Sequence, residues 1–238
     1  MNNAGNKIAL FDFDGTLVSG HLWLGLMKHH LEAKENLWFA FRFLISHLAL
    51  APFWKMKLIS TEKYYQSWGK DVAQLIKGIR VERAKEIFNW IADEYLLPTL
   101  KNNVFEKLKE HQEDGFLTIL TSGSFQNLVD TIANRLKIDF AIGTELEVNS
   151  GQFSGRIIPP LCFGREKAEK VKKFLSGNNL KINPHTKNLG AGVNFKESFA
   201  YSDSIFDLPM LELVGNPVAV EPDKKLLEIA KSKGWQII

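Results

Sequence analysis

KIALFDFDGTLVSG, residues 7–20, joins an apolar run to two closely spaced aspartates. The run from Ile8 to Phe11 does not alternate between apolar and polar residues, which is typical of a strand buried on both faces of a parallel sheet. Asp12 and Asp14 follow at the carboxyl end of this strand, where open α/β sheets bind their ligands. Two carboxylates this close repel each other unless a cation lies between them or one stays protonated. The stretch therefore predicts a metal site at the end of a buried strand.

The bulk composition allows a single sizeable core and excludes several classes of protein. The chain has 238 residues, of which 45% are hydrophobic, enough for one core domain with a smaller companion. The net charge of +3 is mild and the basic residues are dispersed, so we expect no nucleic-acid partner. The single cysteine, Cys162, excludes an internal disulfide. Because the first residues, MNNAGNK, lack the pattern of a secretion signal, the expected location is the cytoplasm.

Residues 98–238 have an α/β pattern. FLTILTSGS, residues 116–124, predicts a second buried strand that ends in hydroxyl residues at the start of a helix, and ESFAYSDS, residues 197–204, predicts a third strand with an acidic end. Residues 149–151, Asn-Ser-Gly, are a hairpin signal. The stretch 177–196 is rich in Asn and Gly and predicts a long surface loop.

Residues 20–97, in contrast, predict a helical region. Within it, LWFAFRFLISHLALAPFW, residues 37–54, is unusually apolar. A membrane span needs roughly 20 apolar residues with few charges, whereas this run contains Arg42 and His47 and reaches Pro52. Two interpretations stay open: a buried core helix of an inserted helical domain, or an interfacial helix whose apolar side contacts lipid or a lipid-like substrate.

Reactive side chains recur at four points along the chain. Each point alone has an ordinary structural explanation, such as a solvated turn, a helix cap or an exposed helix residue. Their order and local context, however, resemble the four motifs of the haloacid dehalogenase (HAD) superfamily, in its subfamily IB, the phosphoserine phosphatase-like enzymes. The resemblance rests on DFDGTL at residues 12–17, LTSGS at 120–124, GREK at 164–167 and YSDSIFDLPML at 201–211.

The resemblance implies an α/β fold, with a Rossmann-like parallel-sheet core (HAD-like) and an inserted α-helical C1-type cap. The catalytic core would comprise residues 1–19 and 98–238, and the helical cap domain residues 20–97. The implied activity is that of a Mg²⁺-dependent phosphomonoester hydrolase, a phosphatase that forms an aspartyl-phosphate intermediate.

The resemblance also assigns a role to each motif residue. Asp12 would be the nucleophile, and Asp14 the general acid that protonates the leaving oxygen and then the base that activates water. Lys167 would offset the charge of the transferring phosphoryl group as a catalytic and phosphate-binding residue. The metal ligands for Mg²⁺ would be the carboxylates of Asp12 and Asp203 and the backbone carbonyl of Asp14. The remaining assignments are phosphate binding by Ser122 and the Gly123 amide, and orientation of the metal ligands by Asp207, which would not itself bind the metal.

The substrate is not defined by these motifs. The resemblance implies that phosphoserine phosphatases recognise the substrate amine with an acidic residue shortly after the first motif, where this chain has His21, so phosphoserine itself is disfavoured and a small-molecule or lipid phosphate is expected. The apolar run of the cap and YSDS are similar to a branch that includes phosphatidylglycerophosphate phosphatases, which adds a lipid phosphate and peripheral membrane contact through the cap as alternatives. Asp14 favours hydrolysis over carbon–halogen cleavage, but a phosphotransferase or phosphomutase and a non-catalytic phosphate-binding module stay open.

Overall fold

The computed structural model describes residues 5–56, 58, 60–176 and 192–238. Within these ranges the core is a six-stranded, fully parallel sheet with the strand order β3-β2-β1-β6-β7-β8. This confirms the predicted Rossmann-like sheet. Its strands are β1 (Ile8–Asp12), β2 (Leu117–Phe125), β3 (Phe140–Thr144), β6 (Phe199–Ser202), β7 (Asn216–Ala219) and β8 (Gln236–Ile237), and a separate hairpin is formed by β4 (Leu146–Asn149) and β5 (Gln152–Ile157).

The central strand β1 is buried along its whole length, as its apolar run predicts. It pairs in parallel with β2 on one side and with β6 on the other. Ala9 and Phe11 face one apolar cluster, whereas Ile8 and Leu10 face the other, so both faces of the sheet are covered. A strand between two apolar layers has no solvent face, which is why its sequence does not alternate.

Helices cover both faces of this sheet. One face carries α5 (Asn102–Glu113) and α6 (Gln126–Leu136), and the other carries α7 (Arg165–Ser176), the short α8 (Leu208–Leu211) and α9 (Lys224–Lys233). Crossover helices on both faces are the arrangement expected for consecutive parallel strands.

The end of β2 differs from the sequence prediction. Ser122 and Gly123 were expected at the start of a helix, but the strand continues to Phe125 and α6 begins at Gln126. The pairing with β3 changes register over this stretch, where the Thr144 hydroxyl donates to the carbonyl of Gly123 at 2.8 Å. Ser122 and Gly123 are therefore presented by extended backbone.

The segment between β1 and β2 is helical. The β4–β5 hairpin is attached to it, because Gly78 donates to the Phe153 carbonyl at 2.8 Å and Phe153 donates to the Ile79 carbonyl at 2.9 Å. In chain order its helices are α1 (Leu22–Ala33), α2 (Leu37–Lys55), α3 (Thr61–Val72) and α4 (Val81–Trp90). A 3₁₀ turn (Ala73–Ile76) lies between α3 and α4, and a π turn (Ile91–Leu96) and a second 3₁₀ turn (Leu97–Thr99) follow α4. The boundaries of a cap domain at residues 20 and 97 stay a prediction.

Helix α2 does not fit the interpretation of a buried core helix. Among the side chains of this helix that the structure describes, only one stripe, Ala40, Phe43 and His47, is buried, and Trp38 is 68% exposed. Apolar composition alone predicts burial, but only the stripe that contacts the neighbouring helices is covered. Of the predicted loop at 177–196, residues 177–191 lie outside the described residues.

The buried pair of Tyr201 and His111 supports a stability prediction. The Tyr201 hydroxyl lies 2.7 Å from Nε2 of His111, and both side chains are buried. Tyr201→Phe should lower the free energy of unfolding by about 1–3 kcal/mol, because the imidazole nitrogen then loses its partner away from water. Tyr65→Phe, at an exposed tyrosine, is the matched control. Urea denaturation measures both changes, and equal stability of Tyr201→Phe and the native protein would contradict the prediction.

Candidate active site

The sequence-predicted site residues meet at the carboxyl edge of the sheet. Asp12 ends β1, Asp203 directly follows β6, and Lys167 lies in the first turn of α7. A cleft of about 1150 Å³ opens onto this edge. It is lined by Asp12, Asp14, Gly123, Lys167, Asp203 and Asp207, while Ser122 is fully buried beneath it.

Lys167 is the central cation of the site. It is buried, and its Nζ donates to Oδ1 of Asp12 at 2.6 Å and to Oδ2 of Asp207 at 2.7 Å. Burial alone would lower the pKa of Lys167, but the two carboxylates raise this pKa above its ordinary value. The hydroxyl of Ser202 also donates to Oδ2 of Asp207, at 2.8 Å. Lys167 is therefore a fixed ammonium group that joins β1 to the 3₁₀ turn after β6 (Ile205–Asp207).

The carboxylates of this edge exceed the positive charge available to them. Burial raises the pKa of Asp12 to about 6, against the effect of Lys167 and with a further contribution from Asp203. Burial likewise raises the pKa of Asp203, while its hydrogen bond with Thr16 opposes the shift. Thr16 Oγ1 lies 2.8 Å from both Oδ2 of Asp12 and Oδ1 of Asp203, but a hydroxyl donates only one proton at a time. The single Thr16 proton therefore cannot satisfy both Oδ2 of Asp12 and Oδ1 of Asp203.

This donor set fits a magnesium ion. In the described part of the chain, no group of three or more His, Cys, Asp or Glu side chains is arranged to hold a metal. Mg²⁺ needs only one or two carboxylates, because it keeps several of its water ligands. Asp12 and Asp203 supply two carboxylates. Gly15, which has no side chain, leaves room for the Asp203 carboxylate beside the loop after β1. Its φ is +90°, and a Cβ atom there would lie 2.6 Å from Oδ2 of Asp203.

Asp14 is held on both of its oxygens. Oδ2 accepts from the hydroxyls of Ser122 at 2.9 Å and Ser124 at 2.7 Å, and Oδ1 accepts from the Leu22 amide at 3.2 Å. The hydroxyl of Ser122, predicted to bind phosphate, thus contacts Asp14 in this structure. Nδ1 of His21 lies 3.9 Å from Oδ1 of Asp14, and His21 also lines the cleft.

Three supporting hydroxyl residues were missed from the sequence. Thr16, Ser124 and Ser202 each donate to a carboxylate of the site. A signal existed, because each lies within four residues of a motif aspartate or serine. Hydroxyl residues are common near turns, however, and their partners were visible only in the structure.

The outer cleft has aromatic walls that were not predicted. Tyr65 of α3 contacts Phe206 and Phe163, with ring centroids 5.7 and 6.4 Å apart, so residues of the helical segment and of the core meet at the rim. The aromatic residues lining the cleft are Trp23, Trp54, Tyr64, Tyr65, Trp68, Phe125, Phe163 and Phe206. The spacing of YYQSW, residues 64–68, is compatible with one helix face and was the available signal.

Comparison with known proteins identifies the family. The model of the haloacid dehalogenase-like hydrolases matches residues 9–212. The chain is 31% identical to phosphoserine phosphatase SerB1 of Mycobacterium tuberculosis, over 96% of the chain and 69% of that protein. It is 26% identical to a histidinol-phosphatase of Neisseria meningitidis serogroup C, over 98% of both. The chain therefore belongs to the haloacid dehalogenase-like hydrolase family, within which it is a phosphatase.

Solved structures share the fold. A Bordetella pertussis protein of unknown function superposes with a TM-score of 0.78 at 22% identity and covers 99% of both chains. A phospho-aspartyl intermediate analogue of phosphoserine phosphatase gives a TM-score of 0.61 at 20% identity, covering 98% of this chain and 92% of that one. These comparisons confirm the resemblance on which the fold prediction rested.

Replacing the buried lysine should destabilise the protein in metal-free buffer. Lys167→Met leaves the carboxylates of Asp12 and Asp207 buried without their cation, so the free energy of unfolding should fall by about 3–5 kcal/mol. Lys172→Met is the matched control, because Lys172 pairs with Glu169 at the surface and should contribute less than about 1 kcal/mol. Chemical denaturation measures the difference, and equal effects of the two substitutions would refute the role of Lys167.

Proposed function

We propose that this phosphatase hydrolyses phosphate monoesters with Mg²⁺, through an aspartyl-phosphate on Asp12. The observation that carries the proposal is the buried arrangement of Asp12 with Lys167, beside Asp14 and Asp203 at one end of the cleft. A nucleophile, a fixed cation and a second carboxylate at one point are the groups that phosphoryl transfer requires.

In the first step a carboxylate oxygen of Asp12 attacks the phosphorus and the bond to the leaving oxygen breaks. Asp14 gives a proton to that oxygen, so the alcohol leaves as a neutral molecule. Lys167 stays bound to Oδ1 of Asp12 and offsets charge on the transferring group. Ser122 and Ser124 keep the carboxyl group of Asp14 in place through their hydrogen bonds.

In the second step a water molecule attacks the phosphorus of the acyl phosphate. Asp14, now a carboxylate, accepts a proton from this water, and the bond between phosphorus and the Asp12 oxygen breaks. Inorganic phosphate leaves and both aspartates return to their initial states. The same carboxyl group thus serves as acid and then as base.

The residues proposed to hold Mg²⁺ are Asp12, Asp203 and the backbone carbonyl of Asp14. When bound, the ion supplies positive charge to the phosphoryl oxygens. Thr16 orients the two carboxylates toward a common point, and Asp207 positions Lys167. The Gly123 amide is proposed to donate a hydrogen bond to the phosphate group of the substrate, because Gly123 lines the cleft.

We further propose residues 20–97 as a helical cap over a core of residues 1–19 and 98–238. The cleft supports this division, because its walls combine Tyr65 of α3 with Phe163 and Phe206 of the core. Closure of the cap would exclude water other than the attacking molecule.

The aromatic walls support a substrate whose alcohol presents apolar surface. The relatives are named for phosphoserine and for histidinol phosphate, and only the latter carries an aromatic ring. Tyr65, Phe163 and Phe206 line the cleft together with His21, which stands where the resemblance places an acidic partner for an amine. A ring and an acyl chain both satisfy this chemistry.

A phosphate-release panel tests the activity and the substrate class together. Histidinol phosphate and phenyl phosphate represent rings, lysophosphatidic acid an acyl chain, and phosphoserine the small polar class. The ring or acyl substrates should have higher kcat/KM than phosphoserine, because the aromatic walls bind their apolar surface. The reverse order would overturn the proposed substrate class and leave hydrolysis intact.

Two variants provide the mechanistic arm of that panel. Asp12→Asn should reduce phosphate release to background, and Asp14→Asn should lower kcat about 10²–10⁴-fold. Asp114→Asn, at an exposed aspartate, is the matched control and should keep native activity. Undiminished turnover by Asp12→Asn would refute the mechanism.

Magnesium should stabilise the protein more at pH 7.5 than at pH 5. Because the pKa of Asp12 is raised in the folded protein, the protonated carboxyl group of Asp12 stabilises the metal-free fold. This contribution to stability is lost as pH rises through about 6. Mg²⁺ binds the ionised carboxylates, and at a concentration about 100 times its Kd should add about 2.7 kcal/mol at the higher pH. At pH 5 protons compete for Asp12 and the gain should shrink.

Thermal unfolding with and without Mg²⁺ measures this gain. Asp203→Asn should abolish most of it, whereas Asp114→Asn should retain it. An equal gain at both pH values, or full retention in Asp203→Asn, would contradict the assigned magnesium ligands.

A further inference from the structure

One side of helix α2 is an exposed apolar surface. We define the α2 apolar face as Leu37, Trp38, Phe41, Leu44, Ile45 and Leu48, all exposed. Their spacing of one, three or four residues places them on one side of the helix, opposite Ala40, Phe43 and His47. Phe53, Met56 and Leu58 continue the exposed apolar surface beyond it.

This surface is too concentrated to be ordinary surface composition. Nine of the fifteen exposed large apolar side chains in the described part of the chain lie between residues 37 and 58. Single exposed apolar residues are normal, but a contiguous patch marks an interaction surface. The α2 apolar face therefore requires an occupant.

The helix lies on the protein rather than across a membrane. Among the described residues, α2 alone is long and apolar enough to span a bilayer, by length and composition, and 18% of its most apolar window is buried. Its middle packs on α3, where the ring of Trp68 lies 5.1 Å from Phe43 and 4.3 Å from His47. Near its end Trp54 stacks on Tyr64 at 5.1 Å. A helix held along one side to a folded body presents only its other side to a partner.

The charge around this face selects the partner. The sequence from residue 36 to residue 61 contains no Asp or Glu, whereas it contains Arg42, Lys55 and Lys57. Arg42 and Lys55 are exposed. Pairing with the same face of a second copy would bring like charges together without an acidic partner. Anionic lipid headgroups instead provide the opposite charge beside an apolar layer.

We propose that the α2 apolar face docks in the plane of an anionic bilayer surface. The α2 apolar face enters the boundary between headgroups and acyl chains, and Arg42 and Lys55 contact the headgroup phosphates. Trp54, at the end of the same helix, lines the active-site cleft. Docking therefore places the mouth of that cleft close to the membrane surface.

Vesicle co-sedimentation of the full chain tests the proposal without any turnover measurement. The native protein should bind phosphatidylcholine vesicles that contain phosphatidylglycerol and should bind pure phosphatidylcholine more weakly. Trp38→Ser/Phe41→Ser should reduce binding by at least about tenfold, because two large apolar side chains no longer leave water. Val148→Ser/Ile158→Ser, at exposed apolar residues of the core, is the matched control.

A second pair of variants separates the charge contribution. Arg42→Gln/Lys55→Gln should weaken binding to the anionic vesicles about fivefold for each basic side chain removed, which corresponds to about 1 kcal/mol each. Lys173→Gln/Lys231→Gln removes the same charge from exposed positions of the core and should have little effect.

The outcomes that overturn the proposal are distinct. Absence of binding to the anionic vesicles, or binding that Trp38→Ser/Phe41→Ser leaves unchanged, rules out docking by this face. A dimer in analytical ultracentrifugation that dissociates in this variant, without vesicle binding, assigns the face to a second copy. Hydrolysis of a soluble monoester should be unchanged in the variants, so docking and catalysis are tested separately.

Discussion

The buried ammonium group of Lys167 between Asp12 and Asp207 is the interaction on which the active-site end of the fold depends. These residues come from β1, from α7 and from the 3₁₀ turn after β6, up to 195 positions apart in the sequence, so their contact joins separate parts of the core. Ions removed from water are costly to bury, and removing one partner leaves the others uncompensated. The same contact that holds the elements together therefore also sets the charge of the site.

That charge is unbalanced in a way that suits phosphoryl transfer. Lys167 pairs with Asp12 and Asp207, Asp203 adds a third carboxylate, and burial raises the pKa of each carboxyl group. The energetic cost is reduced when a proton or a cation binds between Asp12 and Asp203. A site that remains short of positive charge in its resting state is suited to binding a divalent cation, and with it an anionic phosphoryl group.

The helical segment adds two apolar surfaces, one in the cleft and one on the outside of the protein. Tyr64, Tyr65 and Trp68 of α3 line the cleft, and Tyr65 contacts Phe163 and Phe206 of the core. The α2 apolar face points outward and has no contact that covers it among the described residues. Trp54 belongs to the helix that carries the outer surface and also lines the cleft. The cleft wall and the surface that we propose for docking are therefore connected through one helix.

The sequence by itself determined the parallel sheet, the β4–β5 hairpin and the candidate motif residues, because these depend on local patterns: the unbroken apolar run of β1, the Asn-Ser-Gly turn and short motifs in a defined order. Only the tertiary structure decided that β2 extends to Phe125, that Thr16 lies between Asp12 and Asp203, and that α2 is exposed. Each of these depends on which distant residues come into contact. An apolar side chain has the same local pattern whether a partner covers it or not, so composition could not distinguish a core helix from a surface helix.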